Sequence, residues 1–221
     1  MRTNILLSKL NFDANWAKTA IGEELVGHKK VLVMPFSYWD SEVYDLDSWN
    51  NVYRPNRKYF EEIYAPFSSY GYERNQFKYI NFFCDSQDDI KKDLLDAEVL
   101  FLTGGAPDLF MERIMAKGIL PYIKSFDGVV VGCSAGAMIQ FDKFHITPGP
   151  LYPDYKVING IGMVDMDMGI EVHYASTVAQ LESIEKTKTE YSSLLLLDNE
   201  SASIVKDDKI QLLGNAKIIK R

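Results

Sequence analysis

Short runs made wholly of large apolar side chains, such as Val99-Leu100-Phe101-Leu102 and Leu194-Leu195-Leu196-Leu197, constrain this chain more than any other feature. A strand with one face in water alternates apolar and polar residues, so an uninterrupted run reads as a strand covered on both faces. Further strands are expected over 4–7, 30–35, 77–83, 128–131 and 169–172, with helices between them over 14–26, 49–64, 87–95, 107–117 and 175–188. This alternation predicts an α/β fold with a mostly parallel central sheet and helices on both faces. Segments 202–206 and 209–213, turned at Asp207-Asp208, are expected to close the chain as a hairpin. The 221 residues show no internal repeat and no low-complexity linker, and residues 1–221 are expected to form one domain.

Charge and composition narrow the partners. A formal net charge of −7, with basic residues in nothing longer than the pairs Lys29-Lys30 and Lys91-Lys92, argues against a nucleic-acid surface. No segment approaches the roughly 18 continuous apolar residues of a membrane span, and the opening residues lack the apolar core of a secretory leader. With only Cys84 and Cys133, a reducing cytoplasm is the expected location. Three scattered histidines and no C-x-x-C give no metal-ligand spacing, so neither metal nor cofactor is expected.

The chemistry concentrates at Gly132-Cys133-Ser134-Ala135-Gly136, which follows the apolar run Val129-Val130-Val131. A G-x-S-x-G turn between strand and helix pushes the serine hydroxyl out of the sheet edge and aims the next N–H at a developing oxyanion. Ser134 is the candidate nucleophile and Ala135 supplies one oxyanion amide. The same glycine-rich turn also suits phosphate binding at a helix N-terminus. A second amide is expected from Gly105, in the Gly104-Gly105 pair that ends the 99–102 strand.

A serine hydroxyl needs a base, most often histidine. His28 lies at a helix end and reads as a solvated cation, and His145 lies on a short strand. His173, at the carboxyl end of the 169–172 strand, stands where Ser134 should emerge and is the preferred base. The base needs an acceptor in turn. Asp198 and Glu200, just past the 194–197 strand, both qualify, and Glu171 is a rival. Two loops are open to two readings each: the aromatic and acidic segment 36–53 suits either substrate binding at the crevice or packing on the next helix or a second subunit, and the proline-rich segment 148–155 suits either a wall of the site or a rigid connector.

In chain order, Leu102-Thr103-Gly104-Gly105, the Gly-Cys-Ser-Ala-Gly-Ala elbow at 132–137 and Glu171-Val172-His173-Tyr174 resemble the serine peptidase family of dipeptidase E and cyanophycinase. The resemblance runs nearly end to end. It implies a class I glutamine amidotransferase-like, flavodoxin-like fold and hydrolysis of short peptides. It also implies Ser134 as nucleophile, His173 as general base and the amides of Gly105 and Ala135 as oxyanion hole. The dipeptidase E branch carries an acid about fifteen residues past its serine; here Ile146-Thr147-Pro148-Gly149-Pro150 has none. The resemblance to the cyanophycinase branch instead implies an acid from Asp198-Asn199-Glu200, with the choice between Asp198 and Glu200 open. Two other readings fit the residues: an amidotransferase-like amidase using Cys133, and a non-catalytic member that binds a peptide or metabolite. A short peptide is the expected partner, and the protein is expected to act as a monomer or homodimer.

Overall fold

A computed structural model describes residues 2–221. The elements run β1 (Thr3–Leu7), α1 (Lys18–Leu25), β2 (Val31–Met34), α2 (Leu46–Tyr53), α3 (Lys58–Ser68), β3 (Phe77–Tyr79), α4 (Gln87–Asp96), β4 (Val99–Leu102), α5 (Pro107–Lys117), α6 (Leu120–Lys124), β5 (Val129–Cys133) and α7 (Ala135–Met138). There follow β6 (Lys143–Ile146), β7 (Lys156–Asn159), β8 (Met168–Val172), α8 (Val178–Thr187), β9 (Ser193–Leu197), β10 (Ser201–Lys206), β11 (Lys209–Gly214) and β12 (Lys217–Lys220).

The main sheet has the order β11-β10-β1-β5-β4-β2-β3. From β1 to β3 every pairing is parallel, and the β10–β11 hairpin adds antiparallel to β1. The uninterrupted apolar runs follow from this arrangement, because successive residues feed two separate cores. Leu6, Leu32, Leu100 and Val130 join one core with Ile90 of α4, Phe110 of α5 and Ile123 of α6. Ile5, Leu7, Val33, Phe101 and Val131 join the other with Ile21 of α1 and Phe67 of α3. Helices therefore cover both faces.

Three expectations change in detail. The helix expected over 49–64 is two helices, α2 and α3, interrupted around Pro55. Arg54 is extended there (ψ 158°), as a residue before proline tends to be. The strand expected over 77–83 stops at Tyr79, because Asn81 folds the chain into a turn: Phe83 N–H donates to its Oδ1 at 2.9 Å. β8 and β9 do not extend the main sheet but pair in parallel with each other, with β12 antiparallel on β9, as a separate three-stranded sheet. β6 and β7 form a further hairpin. Among the described residues no helix is long and apolar enough to cross a membrane.

Register brings the carboxyl ends of the parallel strands to one edge. Leu7 pairs with Cys133, and Leu102 with both Met34 and Gly132. Ser8, Ser37, Thr103 and Ser134 all lie one to three residues beyond these pairs, and the second sheet delivers His173 and Asn199 from the ends of β8 and β9.

Candidate active site

Ser134 joins β5 to α7 with φ 49° and ψ −111°, a conformation that costs a non-glycine residue about 1–3 kcal/mol. Its neighbours hold it there. Ser134 N–H donates to Leu7 O at 2.8 Å, and its carbonyl accepts from the N–H groups of Ala137 and Met138. The flanking glycines are required by contact. A Cβ at Gly132 would lie 2.1 Å from Gly136 O, and one at Gly136 would lie 2.1 Å from Leu102 O. Gly136→Ala is therefore expected to lower unfolding stability by about 3 kcal/mol in urea denaturation. Gly149→Ala, where nothing lies within 4 Å of the added Cβ, is expected to stay within about 0.5 kcal/mol.

His173 Nε2 lies 2.8 Å from Ser134 Oγ across 39 residues of sequence. His173 also has positive φ, 53°, and is gripped on both sides of its own backbone. Its N–H donates to Ser8 Oγ at 2.9 Å, and its carbonyl accepts from Gln180 Nε2 at 3.0 Å. On the far side of the ring, Nδ1 lies 2.9 Å from Asn199 Oδ1 and 3.3 Å from Ser8 Oγ. With Nδ1 protonated and donating to Asn199 Oδ1, Nε2 keeps its lone pair for the serine proton.

None of the acids expected to orient His173 hydrogen-bonds its ring. Asp198 caps its own turn, with Oδ1 accepting from Glu200 N–H at 2.8 Å and Oδ2 from Asn215 Nδ2 at 2.9 Å. The Glu200 side chain is exposed. Glu171 is buried and accepts from His145 Nε2 at 2.6 Å, Thr147 Oγ1 at 2.8 Å and Gln180 Nε2 at 3.1 Å. It reaches His173 only through Gln180. His145 is therefore a buried partner of Glu171, and His28 lies past α1 at the opposite edge of the sheet. Ser8, Gln180 and Asn199 are the contacts that sequence reasoning did not single out. Ser8 and Asn199 each directly follow a buried strand at its carboxyl end, or lie two residues beyond it, which is the signal that could have found them.

Gly105 has φ 143°, and a Cβ there would lie 2.2 Å from Ser37 O, so only glycine fits this turn. Among the described residues, neither the Gly105 nor the Ala135 N–H has a hydrogen-bond acceptor. Both Gly105 and Ser134 line a cavity of about 170 Å³, together with His173, Thr147, Tyr152 and Glu171. A larger cavity, about 700 Å³, lies at the other end of the strands against Val31 and Phe77. Among the described residues no group of three or more His, Cys, Asp or Glu side chains is placed to hold a metal ion.

Cys133, the residue before the serine, points inward. It is buried with Sγ 3.9 Å from Ser8 O, and burial pushes its thiol up to about 12. Cys84 is exposed. Thiol titration of the native protein at about pH 8 is accordingly expected to modify Cys84 quickly and Cys133 only after unfolding.

Comparison with known proteins bears on this geometry. Peptidase family S51 matches residues 51–213. A provisionally designated peptidase E protein from Listeria monocytogenes EGD-e superposes with a TM-score of 0.68 at 18% identity, covering 96% of this chain and 98% of its own. A peptidase from an acI-B1 Actinobacterium gives a TM-score of 0.66 at 16% identity, covering 100% of this chain and 90% of its own. At these identities the likeness is one of fold. Comparison with curated proteins gives no match.

Proposed function

The chain belongs to peptidase family S51 and is a serine-type peptidase, and from that premise we propose that it hydrolyses short peptides through Ser134, His173 and Asn199. The observation that carries the proposal is the continuous set of hydrogen bonds from Ser134 Oγ to His173 Nε2 and from His173 Nδ1 to Asn199 Oδ1. Asn199 stands in the role expected of Asp198 or Glu200.

In this reading Ser134 Oγ attacks the scissile carbonyl while His173 Nε2 takes its proton. The negative oxygen of the tetrahedral intermediate accepts from the free N–H groups of Gly105 and Ala135. His173 then returns the proton to the leaving amine, and the same base activates the water that releases the acyl group from Ser134. Asn199 fixes the tautomer and the ring plane but carries no charge, so the imidazolium formed in each step receives orientation without a full counter-ion. The inward, protonated thiol of Cys133 speaks against an amidase that uses it. The 221 residues are read as one peptidase domain.

A dipeptide library with mass-spectrometric readout tests the proposal. Cleavage of a subset of dipeptides by the wild type, absent with Ser134→Ala, is the expected result. No cleavage of any short peptide by the folded wild type would favour a binding protein instead.

A further inference from the structure

The aromatic and acidic segment after β2 builds a second cavity that the reaction described above leaves unused. Tyr38, Val43, Trp49 and Tyr53 form their own buried cluster with Tyr59 of α3 packed against it. Between this cluster and the glycine turn lies a cavity of about 210 Å³, lined by Tyr38, Trp39, Tyr53 and Tyr59 and by the carboxylates of Glu42 and Glu62. Gly105 lines both this cavity and the one that holds Ser134 and His173. A carbonyl seated at the Gly105 N–H therefore has this cavity within reach of a neighbouring side chain.

The lining specifies the occupant. It contains two carboxylates and no cationic side chain. Lys58 and Arg113 lie on the rings of Tyr59 and Tyr38, 4.7 Å and 3.7 Å from their centroids, but neither borders the cavity. Arg113 is already engaged by Asp40 and by the carbonyls of Phe36 and Tyr38. Glu42 accepts from the Tyr59 hydroxyl, and Glu62 is exposed at the rim. The Tyr38 hydroxyl is enclosed without a hydrogen-bond partner. Both glutamates are exposed to solvent, and an uncharged apolar occupant would gain nothing from their charge. A long cationic side chain lays its methylenes along the rings and brings its charge to their faces and to the two glutamates.

We propose that this cavity is a side-chain subsite for a lysyl or arginyl residue beside the scissile bond. The assignment deepens the peptidase reading and rests on it for the position of the scissile carbonyl. The test measures binding of Lys-Ala and Ala-Lys against norleucyl-alanine and alanyl-norleucine, to Ser134→Ala protein by isothermal titration calorimetry. One lysyl dipeptide is expected to bind about tenfold tighter than its norleucyl counterpart. That advantage is expected to fall below about threefold when Glu42→Gln and Glu62→Gln are added. Should the combined variant fail to fold, Glu62→Gln alone, at an exposed position, is expected to reduce the advantage. Equal affinity of lysyl and norleucyl peptides in both orders, including no binding of either, overturns the subsite, as does an advantage that survives the glutamate substitutions. Absence of turnover by the wild type would defeat the peptidase reading separately, because the affinity comparison needs no turnover.

Discussion

Ser134→Ala is expected to lower kcat for every peptide the protein cleaves by about 10⁴- to 10⁶-fold, with KM changed little. The size follows from what the hydroxyl does. In the proposed mechanism no acyl-enzyme forms without Oγ, and the remaining rate comes from the oxyanion amides and from whatever water His173 activates. The folded state is expected to survive, because the elbow is held by backbone contacts: Ser134 N–H to Leu7 O, and the close packing of Gly132 and Gly136. Single-turnover kinetics on the wild type and the variant, with far-ultraviolet circular dichroism as the folding control, check both halves. The reverse pattern, in which Cys133→Ala abolishes hydrolysis and Ser134→Ala does not, would contradict the assignment.

The second large effect concerns the uncharged end of the hydrogen-bonded set. Asn199→Ala removes the acceptor that holds His173 in the tautomer with Nδ1 protonated, and kcat/KM is expected to fall about 10²-fold. Asn199→Asp keeps an acceptor of the same shape and adds a negative charge beside the ring. A carboxylate there is a counter-ion for the imidazolium formed in each step. The acidic limb of the kcat/KM profile is expected to move upward by about one pH unit. A merely structural Asn199 would change expression or melting temperature without moving that limb. An unmoved limb in Asn199→Asp, together with Asn199→Ala within about twofold of wild type, would remove Asn199 from the mechanism.

Why some of this was legible in sequence and some was not has physical reasons. Strands buried on both faces write themselves as unbroken apolar runs, and β4 lies where its run predicts. The α5 boundaries are equally plain, because proline suits the first turn and Gly118 adopts the left-handed conformation (φ 66°) that ends the helix. The separation of β8 and β9 from the main sheet was not legible. β8 and β9 carry the same apolar signature as the main strands, and which strand pairs with which depends on contacts far apart in sequence. The β6–β7 hairpin was also obscured, since β7 is largely exposed and its Lys-Val-Ile-Asn sequence has no clean alternation.

At the site, the sequence points to Ser134, His173 and the glycine turn because each follows a strand, and the fold brings the three together at one crevice edge. It points to Asp198 and Glu200 because an ionised acceptor is the usual partner of a catalytic imidazole. The amide between them was passed over, although an amide oxygen can also fix a tautomer. The direction each of three consecutive side chains takes past the end of β9 is set by the turn that Asp198 caps. Composition says nothing about that. Glu171, two residues from His173 and on the same side of β8, was the natural rival, yet its carboxylate is occupied by His145, Thr147 and Gln180.

The most direct test of the central claim is intact-protein and peptide-level mass spectrometry after treatment with a fluorophosphonate, which phosphonylates an activated serine hydroxyl. The account predicts one adduct, located on Ser134, abolished in Ser134→Ala and in protein unfolded before treatment, and slowed in His173→Ala. An unmodified native protein, or an adduct at a position other than Ser134, would contradict it.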